Sequence, residues 1–199
     1  MVKIDLIKED LKKNLKKSRY EHSLSVANTA KKLARIYGVD EDKAYVAGLV
    51  HDCAKYANGE EYAAKLYNVD LPERFKSNSK LIHTYVGPIK AKVDYKIEDE
   101  EILNAIASHT TGRIPMTMLD MIIFIADYIE PSRVFKGVDE VRHMAYEDII
   151  MACIMKLDMN IEFLIKQRVT IDTSTIETRN YLLETVSYTH LTLPTTPYV

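Results

Sequence analysis

Apolar residues recur at helical spacing along almost the whole chain, and no stretch alternates convincingly with the two-residue period of a half-buried strand. Ile4, Ile7, Leu11 and Leu15 form one stripe of an opening helix, with Lys3, Lys8, Lys12, Lys13, Lys16 and Lys17 on its other faces. A solvated face explains those lysines better than a nucleic-acid surface does. Ser18 with Glu21 reads as a capping box for the next helix, which Gly38 ends. Asp40 and Glu41 introduce a helix expected to reach Lys55, and further helices are predicted over Glu60 to Tyr67, Ser79 to Val93 and Asp99 to Ser108. After the loop Thr110 to Pro115, an apolar helix from Leu119 to Glu130 stops at Pro131. A long amphipathic helix from about Tyr146 to Gln167 closes the bundle, followed by a locally extended Arg168 to Asp172.

The expected fold is therefore all-α, a single-domain helical bundle over residues 1–184. From Thr185 to Val199 there is no Lys, Arg, Asp or Glu, and Thr and Pro become frequent. That segment lacks a helical period and is expected to be a non-native or disordered C-terminal extension, so His190 is set aside.

Charge and cysteine content exclude several classes. The 27 basic and 29 acidic residues give a net charge of −2, so no global field recruits nucleic acid or an anionic membrane. Cys53 and Cys153 form no metal-type spacing and no disulfide framework, which suits a reducing cytoplasm. Neither a signal peptide nor a membrane-spanning run is apparent. The reading is a cytoplasmic protein, with an apolar helix face that leaves room for a homodimer.

The dipeptide His51-Asp52 ends the apolar-rich stretch Ala44 to Lys55. Burying an imidazole beside a carboxylate is costly unless both are compensated, which a divalent metal does directly. His22 lies 29 residues upstream, His83 lies 32 downstream, His109 a further 26 and Asp127 a further 18. Such separations suit ligands on successive packed helices, not the short-spaced loops of zinc fingers. His143 reads as an ordinary core or surface histidine.

The order His22, His51-Asp52, His83, His109, Asp127 resembles the HD superfamily of metal-dependent phosphohydrolases. Arg19-Tyr-Glu-His22, His51-Asp-Cys-Ala-Lys55, Leu81-Ile-His83, Ser108-His-Thr-Thr-Gly-Arg113 and Ala126-Asp-Tyr-Ile-Glu-Pro-Ser-Arg133 are similar to the YqeK-type hydrolases of symmetrical dinucleoside tetraphosphates. The resemblance spans about Asp10 to Asn180 and implies an all-helical enzyme that binds iron or a related metal and converts diadenosine tetraphosphate into two ADP. It implies that His22, His51, Asp52 and Asp127 hold the principal ion. His83 and His109 then either bind a second ion or face the phosphates. Mixed imidazole and carboxylate ligation suits iron, manganese or zinc, with iron preferred on the resemblance.

The expected chemistry is attack of a metal-activated water on a phosphoanhydride phosphorus, with Asp52, Lys55, His83 and His109 as catalytic residues. Substrate contacts are expected from Arg19, His22, Lys55, His83, Thr84, His109, Thr110, Gly112, Asp127, Tyr128 and Arg133, and from the segment Thr170, Ile171, Asp172, Thr173, Ser174 and Thr175. Tyr128 either stacks on a base or fills the core. Two residues depart from the pattern: Cys53 follows the dyad where an aromatic or small apolar residue is usual, raising the expectation of redox sensitivity, and Ser132 replaces a usual Gly before Arg133. Alternatives are another HD nucleotide phosphohydrolase, namely a nucleotidase, triphosphohydrolase or alarmone hydrolase, and a non-catalytic nucleotide-binding metal module.

Overall fold

Asp40, Asp99, Thr117 and Asp148 set four helix starts, because each side chain accepts hydrogen bonds from backbone N–H groups that the first turn leaves unpaired. The structure, a computed structural model, describes the backbone of residues 3–191 and the side chains of residues 3–186. Its helices are α1 (Ile4–Asn14), α2 (Lys17–Tyr37), α3 (Glu41–Val50), α4 (Glu60–Leu66), α5 (Glu73–Lys76), α6 (Ile82–Tyr95), α7 (Glu100–Ser108), α8 (Met118–Ile129), α9 (Val138–Glu147), α10 (Ile149–Gln167) and α11 (Thr173–Leu191). A 3-10 turn, Ser79–Leu81, leads into α6, and there is no strand among the described residues. Among the described residues no helix is long and apolar enough to cross a membrane. The all-α expectation holds.

Several boundaries move for local reasons. Ser18 does not cap α2: the N–H groups of Arg19 and Tyr20 already donate to the Lys16 carbonyl, so the helix begins before Ser18 can serve. Gly38 does end α2, in the left-handed conformation at φ 70° that glycine adopts freely. The helix expected to reach Lys55 stops at Val50, and His51 to Ala54 form a turn closed by bonds from Cys53 N–H to Val50 O and Lys55 N–H to Asp52 O. The long helix from Tyr146 is two helices, broken at Asp148, whose extended backbone lets its carboxylate cap Ile150 and Met151. The segment expected to be extended ends at Asp172, and a hydroxyl-rich run follows. It opens α11, with Asp172 accepting the Ser174 N–H.

Helix α11 also crosses the expected boundary at residue 185. Thr185 donates to the Tyr181 carbonyl and Val186 packs against the core. Residues 185–191 therefore continue a helix across the expected boundary, while residues 192–199 and the side chain of His190 lie outside the described residues.

The core is organised around α8, whose Ile122, Ile123, Phe124, Ile125 and Ala126 are all inaccessible to solvent. A helix apolar on every side belongs inside, and α2, α3, α7, α9 and α10 surround it. A second apolar cluster, including Ala54, Tyr56, Phe75, Ile82 and Val86, joins α4, α5 and α6 to the turn after His51. Lys90 ties α1 to α6: its buried ammonium lies 2.8 Å from Asp10 and 2.9 Å from Asp94, with the Tyr95 ring centroid at 5.0 Å. Removing one partner of such a buried group costs more than the pair contributes.

Helices α2 and α3 meet most closely at Gly48. A Cβ there would stand 2.9 Å from Ala27 Cα and 3.1 Å from Ala27 N, and backbone cannot step aside as a side chain can. Gly48→Ala is expected to cost about 1–3 kcal/mol and to lower the melting temperature by roughly 3–10 °C. Thermal unfolding followed by circular dichroism checks this; an unchanged midpoint would show that the α2–α3 contact tolerates a methyl group.

Candidate active site and metal centre

Two helix ends deliver two of the imidazoles in the same way. His51 terminates α3 and His109 terminates α7. A helix C-terminus leaves carbonyls without intrahelical partners, and each histidine bonds one three residues back. The Nδ1–H of His51 donates to Gly48 O and that of His109 to Ile106 O, both at 2.7 Å. His22, in the second turn of α2, directs Nδ1 at the Glu130 carboxylate (3.0 Å), and His83, at the start of α6, directs Nδ1 at Glu60 (2.8 Å). Glu60 also accepts the His83 backbone N–H.

These acceptors fix the tautomers. Carbonyl and carboxylate oxygens can only accept, so each Nδ1 carries a proton and each Nε2 presents a lone pair in the neutral ring. All four Nε2 atoms point inward. His22 Nε2 lies 2.9 Å from Asp127 Oδ1, His51 Nε2 lies 3.3 Å from Asp52 Oδ2, and His109 Nε2 lies 3.3 Å from Asp52 Oδ1. His83 Nε2 stands 3.6 Å from Asp52 Oδ1 and 3.2 Å from His109 Nε2. Lone pairs facing one another need positive charge among them, supplied by protons or by a metal ion.

The donor set fits an ion. His22, His51 and Asp127 offer ligand atoms all within 4.8 Å of one another, as do His51, Asp52 and His109. His51 Nε2 and Asp52 Oδ1 are buried without a hydrogen-bond partner, a costly state for a core unless a cation takes them up. The Nδ1–H bonds to carboxylate and carbonyl are the outer support that metal-bound histidines use to fix ring orientation.

Asp52 joins two sides of the cluster. Its Oδ2 faces His51 and accepts from Arg19 Nη1 at 2.9 Å; its Oδ1 faces His83 and His109, with Lys55 Nζ at 3.3 Å. Burial opposes its ionisation, but the charge that His51 carries when protonated, together with that of Lys55, outweighs this and holds the carboxyl well below the usual range. Asp127 behaves alike: burial opposes its charge, while His22 and His51, when protonated, donate to it or lend it positive charge and keep it ionised. Its Oδ1 also accepts from Arg133 Nη2 at 2.8 Å. Burial pushes His83 down and His109 down to about 4.

Of the other expected contacts, Arg19 and Arg133 line a small cavity at the mouth beside His22. Thr110 Oγ1 lies 3.3 Å from His83 Nε2, whereas buried Thr84 donates to Leu81 O. Gly112 backs onto α11: at φ +74° it sits so close to Thr178 that a Cβ would fall 2.5 Å from its methyl carbon. Arg74 holds Asp172 through two bonds of 2.6 and 2.8 Å, fixing the segment that carries Thr170 and Ile171 into the start of α11. Thr173 and Ser174 occupy its first turn, with Thr175 buried. His143 is on the surface beside Glu147, as an ordinary histidine.

Glu130, Glu60 and Lys156 support the site without having been expected to, and Ser132 gains a role through Glu130. Glu130, fully buried and held down to about 2 because Ser132 and His22 hydrogen bonds outweigh its burial, anchors His22. Ser132 reaches Glu130 through both its backbone N–H and its hydroxyl, which gives the serine before Arg133 a function. Glu60 anchors His83. Lys156, pushed down to about 8 by burial, donates to Phe124 O at 2.6 Å and His109 O at 3.3 Å. A Ser two residues after a Glu in a helix-ending Glu-Pro-Ser was the one available sequence signal. The redox expectation for Cys53 fails: the thiol is fully buried and pushed up to about 12, so it holds almost no thiolate.

The HD domain family model matches residues 19–132. The chain is 38% identical over 174 residues to a protein of Bacillus subtilis named bis(5'-nucleosyl)-tetraphosphatase, symmetrical, covering 87% of this chain and 94% of that one. It is 40% identical over 188 residues to a protein of the same name from Staphylococcus aureus, covering 89% and 93%. A crystal structure of a protein from Clostridium acetobutylicum, described as a predicted HD superfamily hydrolase involved in NAD metabolism, is 47% identical and superimposes with a TM-score of 0.86 over 92% of this chain and 98% of that one.

Because Glu130 sets the tautomer of His22, Glu130→Leu is expected to weaken divalent-metal affinity by roughly 10–100-fold. Glu130→Gln, whose amide oxygen can still accept from Nδ1–H, should retain most of it. Competition with a chelator measures both. Equal affinity in wild type and Glu130→Leu would remove the supporting role.

Proposed function

The chain belongs to the HD domain family, and from that premise we propose that it is a phosphoanhydride hydrolase that cleaves symmetrical dinucleoside tetraphosphates, converting diadenosine tetraphosphate into two ADP. The observation that carries the reading is the inward convergence of His22, His51, His83 and His109 Nε2 on Asp52 and Asp127, with Arg19, Lys55 and Arg133 at the same carboxylates.

His22, His51, Asp52 and Asp127 would hold the principal ion. When bound, a divalent ion lowers the pKa of a coordinated water and neutralises charge on a phosphoryl oxygen. Mixed nitrogen and oxygen donors suit iron, with manganese and zinc as the alternatives. His83 and His109 give Asp52 Oδ1 a separate face, able to take a second ion or a proton there.

The tetraphosphate bridge brings several negative charges, and the cations at the mouth are matched to it. Arg19 and Arg133 each commit part of the guanidinium to a carboxylate and are about one third exposed, leaving N–H donors for phosphate oxygens. Lys55, from the turn after the dyad, stands over the Oδ1 side and is placed to neutralise the leaving diphosphate. Thr110, beside His83, adds a hydroxyl. The 170–175 segment, clamped by Arg74 through Asp172, is proposed to line the nucleotide on the α11 side. Two buried free cysteines and the lack of a membrane-crossing helix among the described residues support work in a reducing cytoplasm.

Metal-replete protein incubated with diadenosine tetraphosphate should yield ADP as the sole nucleotide product; equal amounts of AMP and ATP would contradict the symmetrical reading. Asp52→Ala should abolish turnover, and Lys55→Ala should lower kcat by about 10²–10³-fold. A nucleoside triphosphate or alarmone that outcompetes the tetraphosphate would move the protein to another branch of the family.

A further inference from the structure

Concavities lead away from the metal cluster along the 131–137 loop. The mouth, bounded by Arg19, His22, Glu130 and Arg133, shares Arg133 with a neighbouring hollow along the loop. That hollow in turn shares Phe135 and Lys136 with a third cavity of about 600 Å³, to which α8 contributes Tyr128 and α10 contributes Met159 and Phe163. Tyr128 follows Asp127 on α8, so one helix turn presents a carboxylate to the cluster and an aromatic ring to this cavity.

Its lining has the chemistry of a base-binding pocket. The Tyr128 and Phe135 rings meet edge to face, centroids 5.0 Å apart, and the Tyr128 hydroxyl donates to Met159 Sδ at 3.7 Å. Gly137, at φ +90°, passes so close to Met159 that a Cβ would lie 2.5 Å from its terminal methyl. That glycine lets Met159 stay where it is. Phe135 and Phe163 are 41% and 57% exposed, an unfavourable placement for two rings that line one cavity unless a flat apolar partner covers them. Lys136 makes no salt bridge among the described residues; its charge acts on Glu162 at the same cavity, whose carboxylate is already paired with Lys166 at 2.6 Å.

We propose that this cavity holds one nucleoside of the dinucleotide substrate, its base against Tyr128, Phe135 and Phe163 and its neighbouring phosphate facing Lys136. The assignment rests on the phosphohydrolase reading above and adds a site for half of a substrate that carries two identical nucleosides. A purine offers the flat face that aromatic rings and a thioether favour. Arg133 lines both the mouth and the neighbouring hollow, and Phe135 and Lys136 line both that hollow and the cavity, so a chain of phosphates laid along the loop would run from the metal cluster toward the base.

The test uses the metal-loaded full chain and two probes: a non-hydrolysable methylene-bridged analogue of diadenosine tetraphosphate, and inorganic tetraphosphate. Phe163→Ser should weaken the analogue about tenfold and leave inorganic tetraphosphate unchanged, and Phe163→Trp should restore the affinity. Equal loss for both probes, or no loss for either, would overturn the assignment. So would a loss of affinity that tracks the dissociation of a dimer in sedimentation, since a second copy would then be what covers the rings. Turnover is assayed in parallel: failure of wild type to form ADP would sink the phosphohydrolase reading, while the binding ratios still decide the pocket.

Discussion

Four imidazoles turned inward upon two carboxylates can coexist only around positive charge, and the surrounding structure is arranged to keep them turned that way. Each Nδ1–H is spent on an acceptor outside the cluster: two helix-end carbonyls, Gly48 and Ile106, and two carboxylates, Glu60 and Glu130. Every Nε2 is thereby left as an acceptor facing Asp52 or Asp127. His51 Nε2, buried without a hydrogen-bond partner, and Asp52 Oδ1, met only by the Lys55 ammonium at 3.3 Å, express the same demand from the other side.

The fold can be understood from that demand. His51 and His109 arrive at the ends of α3 and α7, where free carbonyls exist to orient them. α3 can end there only because Gly48 lets it press against Ala27 of α2, which carries His22. The apolar α8 brings Asp127 up through the core, and Lys156 from α10 bonds both α8, at Phe124 O, and the end of α7, at His109 O. Arg19 and Arg133 neutralise the carboxylates from the solvent side, where a polyanionic substrate would arrive.

Much of this was legible in the sequence. The apolar period of 3.6 predicted the helices, and the wide intervals between His22, His51-Asp52, His83, His109 and Asp127 predicted ligands on different packed helices, which the structure brings together. What stayed hidden depended on neighbours distant in the chain. Nothing local marks Glu130 as the anchor of a histidine 108 residues away, or Glu60 as that of His83. Lys156 looks like an ordinary lysine of an amphipathic helix until its burial is seen. The break at Asp148 and the start of α11 were missed because a capping aspartate within an apolar run, and a run of hydroxyls, each suit a helix boundary and a loop equally well. The Thr84 hydroxyl donates to Leu81 O and Gly112 packs against Thr178 of α11, contacts with neighbours that no local pattern marks.

The central claim is that His22, His51, Asp52 and Asp127 form a metal centre through inward-facing Nε2 and carboxylate oxygens. Anomalous diffraction from crystals of the metal-loaded protein addresses it most directly. The expected result is an ion bound by Nε2 of His22 and His51 and by oxygens of Asp52 and Asp127, with all four Nδ1–H bonds retained. An ion bound elsewhere, or a cluster closed by protons alone in metal-saturated crystals, would contradict it.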